Sequence, residues 1–208
     1  MDAVFSPNGS IIASCSKDET IRLWENNIEG HSVTMKAHSA TVRSLDFSTD
    51  GRLLLSASDD KSCKVWSVKD HRFRYSLLGH KNWVRSASFS PDSRLIASCG
   101  DDKSVKLWDT ESKKNLYSFP DHDGVVNSVK FHPDGTCLAS ASYDRKIKIF
   151  DIRSKRLLQH YDAHAASITQ IAFHPTGFYL LSASNDAKLK VPIPSYPCDI
   201  IDMGSEER

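Results

Sequence analysis

Serine, histidine and aspartate recur together along this chain, and they are the residue types of a hydrolase catalytic triad. In a triad the serine oxygen attacks the substrate, the histidine acts as general base and the aspartate orients the histidine. An enzyme needs its nucleophile once, whereas this trio returns at a spacing of 42 residues. The repetition therefore predicts a structural role and no catalysis. The sets are His38, Ser56 and Asp60; His80, Ser98 and Asp102; and His122, Ser140 and Asp144.

Other chemistry-bearing patterns receive no support from the sequence. The chain has no Gly-rich phosphate loop, no Cys-x-x-Cys and no His-Glu-x-x-His, so it predicts no cofactor and no metal. A net charge of +1 gives no argument for a specific nucleic acid partner. No apolar run approaches the about 18 residues that a membrane-spanning helix needs. The five cysteines show no paired spacing. Four of them stand at repeat positions where other copies carry Ala, Leu, Ile or Val, and we interpret these as buried thiols in a reducing compartment.

The elements that must position the trio belong to an internal repeat. Trp24, Trp66, Trp108 and Phe150 are also 42 residues apart. Each unit reads as four short strands separated by turns, as in "TVRSLDF", "RLLLSAS", "SCKVWSV" and "FRYSLL" of the second copy. A period of about 40–45 residues with four strands is typical of propeller blades. The repeat therefore predicts an all-β fold.

The repeated strings resemble the WD-repeat β-propeller family. They include "SASDDKSCKVWSV", "SCGDDKSVKLWDT" and "SASYDRKIKIFDI", and the resemblance covers Val4 to about Val191. It implies that each histidine, serine and aspartate set joins the aromatic residue of its blade in a buried hydrogen-bonded network. Phe150 departs from this pattern, because a phenyl ring has no N–H to donate. We therefore expect the fourth blade to be held less firmly. The implied aromatic members are Trp66, Trp108 and Phe150.

The chain supplies about five blades, of which three are complete and the two terminal ones partial. The family resemblance implies a ring of seven blades, so we expect an open arc and a truncated form of a larger ring. Unpaired blade ends expose apolar residues, which predicts self-association. Pro192 interrupts the fifth repeat, and residues 192–208 are expected to be a disordered, non-repeat tail. The predicted blades span residues 1–37, 38–79, 80–121, 122–163 and 164–191.

Recognition in a repeat protein is expected where the copies differ from one another at exposed positions. In WD-repeat propellers the loops that carry the histidines and aspartates form one face, called here the top face. Trp83 is expected on this face. It is the one tryptophan of the four that does not occupy the repeated aromatic position, and Arg85 follows it two residues later. It could form a binding hot spot or fold onto its own blade. Arg43 and Arg85 could pair with a partner's carboxylates or phosphates, or with Asp59 and Asp101. The candidate partner-binding residues are Arg43, Trp83, Arg85 and Tyr143.

A basic residue stands two positions before the aromatic position in every copy. Such a ladder could meet an acidic surface such as a microtubule. We favour the alternative, in which an aliphatic stem covers the blade and the charge remains in water. The ladder comprises Arg22, Lys64, Lys106, Lys148 and Lys190.

Three longer strings resemble the proteome-of-centriole group of WD-repeat proteins. They are "GHSVTMKAHSATVRSLDFSTDG", "HKNWVRSASFSPDSRLIASCGDDKSVKLWDT" and "RLLQHYDAHAASITQIAFHPTGFYLLSAS". This resemblance implies a non-enzymatic scaffold of the cytoplasm and cytoskeleton, located at the centriole, centrosome or basal body. Its implied partners are microtubules and centriolar wall proteins, and its implied role is centriole stability and cilium assembly.

Two alternative functions stay open. "KIKIFDIR", ending at Arg153, resembles the Trp-Asp-x-Arg box of WD-repeat substrate receptors for cullin-based ubiquitin ligases, with Phe150 in place of the tryptophan. The other alternative is an unassigned cytosolic scaffold, because the fold alone does not determine a function.

Overall fold

The computed structural model describes residues 1–26 and 30–191. The described residues form nineteen β-strands and no helix. The tail predicted at residues 192–208 lies outside the described residues. The strands form five antiparallel sheets in chain order, so each sheet is one blade of a propeller.

The strand bounds repeat from blade to blade. Blade 1 contains β1 (Asp2–Phe5), β2 (Ile11–Cys15), β3 (Thr20–Glu25) and β4 (Ser32–Lys36). Blade 2 contains β5 (Val42–Phe47), β6 (Leu53–Ser58), β7 (Ser62–Ser67) and β8 (Arg72–Leu78). Blade 3 contains β9 (Val84–Phe89), β10 (Leu95–Gly100), β11 (Val105–Asp109) and β12 (Asn115–Phe119). Blade 4 contains β13 (Val126–Phe131), β14 (Cys137–Ser142), β15 (Lys146–Asp151) and β16 (Leu157–Asp162). Blade 5 contains β17 (Ile168–Phe173), β18 (Leu180–Ser184) and β19 (Leu189–Lys190).

The repeated aspartate makes the tight turn between the second and third strands of each blade. In blade 2 the Asp60 carboxylate accepts the backbone N–H of Ser62 at 3.0 Å, which closes an Asx-type turn. Lys61 between them adopts a left-handed backbone with φ of 69°. The other blades place a non-glycine residue in the same conformation. These residues are Glu19, Lys103, Arg145 and Ala187.

The core lies between blades rather than within one sheet. The face of each blade that points toward the next blade is called here its trailing face, and the opposite one its leading face. Between blades 2 and 3, Leu55 and Val65 of the trailing face pack with Ile96 and Trp108 of the leading face. Three further clusters repeat this arrangement between the other neighbouring blades. Burial of these apolar faces is what holds successive blades together.

The outer faces of blades 1 and 5 are exposed, so the five described blades form an open arc. On the leading face of blade 1, Phe5 is 66% exposed, whereas Phe47 at the same position of blade 2 is 8% exposed. On the trailing face of blade 5, Leu181 is 43% exposed, whereas Leu55 is fully buried. An apolar groove of about 440 Å³ lies beside Leu181 and Val191. The predicted exposure of the blade ends is therefore confirmed, and self-association stays a prediction.

Four cysteines are buried and form no disulfide among the described residues. They take positions on trailing or leading faces where sister blades carry aliphatic residues, as the sequence suggests. Burial raises the pKa of Cys15 to about 11 and that of Cys63 to about 12. The thiols of Cys15, Cys63 and Cys99 therefore stay protonated, and all four side chains pack as small apolar groups. The four are Cys15, Cys63, Cys99 and Cys137.

Candidate functional site

The predicted network is assembled in blade 2. His38 Nδ1 lies 2.7 Å from Asp60 Oδ2, and His38 Nε2 lies 2.7 Å from Ser56 Oγ. The indole N–H of Trp66 donates to the same serine oxygen at 2.9 Å. Ser56 is fully buried, so its hydroxyl cannot meet a substrate. The trio therefore joins the loop before β5 to the β6–β7 turn and acts as a structural bracket.

Blade 3 repeats this geometry closely. His80 lies 2.8 Å from Asp102 and 2.7 Å from Ser98, and Trp108 donates to Ser98 at 2.8 Å. Burial opposes ionisation of Asp102, but hydrogen bonds from His80 and from the backbone of Lys81 outweigh it. The pKa of Asp102 is consequently held well below its ordinary value. The carboxylate stays charged and fixes the imidazole.

Blade 4 keeps the polar trio and replaces the tryptophan bond with apolar packing. His122 lies 2.7 Å from both Ser140 and Asp144. Phe150 is fully buried, and its ring centroid lies 4.4 Å from that of Phe119. The ring fills its site without a hydrogen bond to Ser140. The lower firmness of this blade stays a prediction.

Blade 5 contains a fourth trio that was not assigned as a set from the sequence. His164 lies 2.9 Å from Ser182 and 3.0 Å from Asp186. Each of these residues lies 42 positions after its counterpart in blade 4, so the sequence period indicated this trio as well. Its aromatic position falls on Pro192, outside the described residues.

Three members of the basic ladder donate hydrogen bonds to the backbone of the protein. The ammonium groups of Lys64, Lys148 and Lys190 donate to backbone carbonyls of Ala37, Asp121 and Ala163. Each of these carbonyls belongs to the residue just before a network histidine. Lys148 is buried. The expectation of a charge left in water is wrong for buried Lys148. The ammonium groups of Lys64 and Lys190 are also hydrogen-bonded to the protein, because the loop before each network histidine brings a backbone carbonyl within reach.

On the top face, Arg43 and Arg85 pair with the aspartates of their own blades. Arg43 Nε and Nη2 donate to Asp59 at 2.6 and 2.7 Å. Arg85 Nε and Nη2 donate to Asp101 at 2.5 and 3.1 Å. These bidentate pairs resolve the alternative left open by the sequence in favour of the neighbouring aspartates. Hydrogen bonding to Asp101 also raises the pKa of Arg85.

Trp83 lies close to the arginines of both bidentate pairs. The guanidinium carbon of Arg43 is 5.5 Å from the centroid of the Trp83 ring, and that of Arg85 is 5.7 Å away. Both distances are in the range of cation–π contacts. Trp83 is nevertheless 42% exposed. It is therefore anchored by contacts to blades 2 and 3 while a large part of its surface faces outward.

A pocket of about 530 Å³ opens on the same face and brings together residues from blades 2 to 5. Three of the four predicted top-face residues line it, and Trp83 contacts two of them. Its other lining residues occupy the same repeat positions in blades 4 and 5, but their chemistry gave no distinctive signal. The lining comprises Arg43, Arg85, Val125, Asn127, Tyr143, Ser167, Thr169 and Asn185.

Metal and membrane sites were also sought across the described part of the chain. No group of three or more histidine, cysteine or acidic side chains there could hold a metal ion. The same residues include no helix with the length and apolar character needed to cross a bilayer.

Comparison with known families agrees with the repeat geometry. The sequence model of the WD domain, G-beta repeat matches five segments, residues 1–25, 29–67, 71–109, 113–151 and 155–191. A search among curated proteins gave no match. Propellers of this family are typically non-enzymatic modules that mediate contacts between proteins. The matched segments cover most of the chain, which therefore belongs to the WD-repeat family of β-propeller proteins.

Proposed function

We propose that this chain is a non-enzymatic scaffold that binds a protein partner through its top face. The observation that carries the proposal is the exposed Trp83, which lies within cation–π distance of both paired arginines beside an open pocket. A rigid aromatic side chain next to arginines has the composition of an interface hot spot. The serines that could suggest hydrolysis are buried in structural networks instead.

The more specific proposal is a role at the centriole or basal body. It is supported by the three long strings that resemble the proteome-of-centriole group, several of whose residues lie outside the shared blade signature. In this role the chain would act in the cytoplasm and cytoskeleton, contact microtubules or centriolar wall proteins, and support centriole stability and cilium assembly.

Localisation of a tagged chain against a centriolar marker tests this role. We expect enrichment at centrioles, and we expect Trp83→Ala to lose most of it. Phe178→Ala is the matched control, because Phe178 is an exposed aromatic residue in the β17–β18 turn, away from the top face. A diffuse wild-type protein would contradict the centriolar role. Equal enrichment of Trp83→Ala and Phe178→Ala would remove Trp83 from the interface.

The cullin-receptor alternative predicts a different partner. Phe150 is fully buried in the blade core, so Arg153 is the exposed member of the resembling box. Affinity purification with wild type and Arg153→Ala separates the two functions. Recovery of a cullin adaptor that depends on Arg153, without centriolar enrichment, would favour the ligase receptor.

A further inference from the structure

The top-face pocket presents positive charge, although each of its two arginines is paired with an aspartate. The side chains of Asp59 and Asp101 are only 8% and 14% exposed, whereas those of Arg43 and Arg85 are 21% and 28% exposed. Each pair therefore buries its carboxylate and turns its guanidinium toward the pocket. Field strength in a recess of this kind is greater than at an open surface.

Each guanidinium retains donors for a ligand. The bonds to Asp59 and Asp101 use Nε and Nη2 of the two arginines. Within residues 1–26 and 30–191, the Nη1 groups of both arginines make no hydrogen bond. An arginine already fixed on one edge loses little conformational freedom when its other edge binds, so these donors are preorganised.

The opposite side of the pocket is uncharged and rich in acceptors. The side-chain amide of Asn127 donates to the carbonyl of Ile168 at 2.7 Å, and that of Asn185 donates to Ser167 Oγ at 2.7 Å. These bonds hold the amide groups and leave their oxygens as acceptors for peptide N–H groups. Tyr143, which is 66% exposed, adds an aromatic surface on this side.

We propose that the pocket binds an extended peptide segment that carries an aspartate or glutamate side chain next to an apolar residue. The carboxylate accepts hydrogen bonds from Nη1 of Arg43 and Arg85, and the apolar neighbour lies on Trp83 at the rim. Asn127 and Asn185 accept from the peptide backbone. The proposal rests on the proposed protein-binding function and specifies the chemistry of the partner.

The chain itself offers a matched variant for the test. Asn127 and Tyr143 of blade 4 occupy the repeat positions that Arg85 and Asp101 occupy in blade 3. The double substitution Arg85→Asn/Asp101→Tyr therefore installs a pair that the fold already accommodates, and it leaves no unpaired buried charge. Arg94→Asn is the control, because Arg94 is 85% exposed and lies in the turn before β10.

The experiment is a selection of displayed random heptapeptides on the wild-type chain, followed by fluorescence anisotropy of the selected peptides. We expect enrichment of acidic residues beside apolar ones. Replacing the acidic residue of such a peptide with its amide should weaken binding at least tenfold. The double variant should weaken it by a similar factor with an unchanged circular dichroism spectrum, and Arg94→Asn should bind like wild type.

The outcomes separate this inference from the scaffold function. Peptides that require Trp83 but carry no acidic residue would overturn the carboxylate preference and leave the scaffold function standing. Equal binding of acidic peptides and their amide counterparts would overturn it in the same way. A phosphoserine version that binds a hundredfold more tightly would replace carboxylate by phosphate as the recognised group. If no peptide binds, the peptide inference fails, and the scaffold function is decided separately by the localisation of wild type and Trp83→Ala.

Discussion

Blades 2 and 3 each carry a tryptophan–serine hydrogen bond at one position and an arginine–aspartate pair at a second, whereas blade 4 carries neither. At the first position, Trp66 and Trp108 donate to the network serine, whereas blade 4 has Phe150. At the second position, an arginine–aspartate pair closes the top of blades 2 and 3. The corresponding residues are Asn127 with Tyr143 in blade 4 and Thr169 with Asn185 in blade 5.

The difference shows which interactions the fold requires and which it leaves free. The histidine–serine–aspartate trio is present in all four blades from blade 2 onward, at distances of 2.7 to 3.2 Å. The tryptophan bond and the arginine–aspartate pair are additions that individual blades dispense with. The positions of the arginine–aspartate pair can therefore differ between blades without loss of the blade, and residues at these positions line the pocket.

The largest effect is expected from removing a network histidine. His80→Ala leaves buried Ser98 and the Asp102 carboxylate without their partner, so we expect a loss of about 3 kcal/mol in the free energy of unfolding. His164→Ala in blade 5, which has a neighbour on one face only, should cost about 1 kcal/mol. Urea denaturation measures both. Equal losses would contradict the view that packing between two blades strengthens the network.

The next effect concerns the aromatic position. Trp108→Phe removes the indole bond to Ser98 and part of the packed volume, which should cost about 2 kcal/mol. Phe150→Trp should not produce a matching gain in stability, because the larger Asp121 stands where blades 2 and 3 have Ala37 and Gly79. A side-chain carbon at Gly79 would lie 3.1 Å from Trp108. The combined change Phe150→Trp/Asp121→Gly should be more stable than Phe150→Trp alone, as judged by thermal melting.

Acid should weaken the blades through the network aspartates. Partial burial opposes ionisation of Asp144, but hydrogen bonds from His122, Lys146 and Asp123 hold its pKa at about 2. A lowered pKa in the folded state contributes stability above the unfolded pKa of about 4, and this stability is lost as the pH falls toward 2. After a discount for solvent screening the contribution is about 1 kcal/mol.

Denaturation of wild type and Asp144→Asn between pH 5 and pH 2 measures this contribution. The difference between the two proteins should shrink as the pH falls. The pKa of Asp102 lies further below its ordinary value, so the difference between wild type and Asp102→Asn should persist to lower pH. A constant difference for Asp144→Asn across this range would show that its charge does not stabilise the fold.

The smallest effect is expected at the top face. Asp101→Asn weakens a partly exposed pair and should cost about 0.5 kcal/mol in unfolding free energy. It also releases Arg85 from one side of Trp83, so the near-ultraviolet circular dichroism of tryptophan should decrease. Installing the pair in blade 4 with Asn127→Arg/Tyr143→Asp should gain no more than that amount. A large stability change from either variant would assign these positions to the fold and not to recognition.

Periodicity made the shared part of the molecule predictable. The 42-residue spacing placed His38, Ser56 and Asp60 and their counterparts at equivalent positions, and the family resemblance implied that they form networks in blades 2, 3 and 4. Alternating apolar runs and turn residues indicated the strands. The partner of each arginine was not predictable, because a neighbouring aspartate and an external carboxylate offer the same chemistry. The lysine bonds were missed because their acceptors are backbone carbonyls, which no residue type reveals. The uncharged side of the pocket was missed because asparagine and threonine, such as Asn127 and Thr169, are common at partly exposed positions and carry no distinctive signal.

Because the trailing face of blade 5 is exposed, the stability of this arc should depend on the concentration of any molecule that binds there. Leu181 and Val191 lie where every inner blade is covered by its neighbour. A molecule that binds this face of the folded chain, and does not bind the unfolded chain, stabilises the fold by RT ln(1 + [L]/Kd). This is about 2.7 kcal/mol when the ligand concentration is a hundred times Kd. A second copy would contribute in the same way. The melting temperature would then rise with protein concentration, because it would depend on binding at this face as well as on the fold of a single chain.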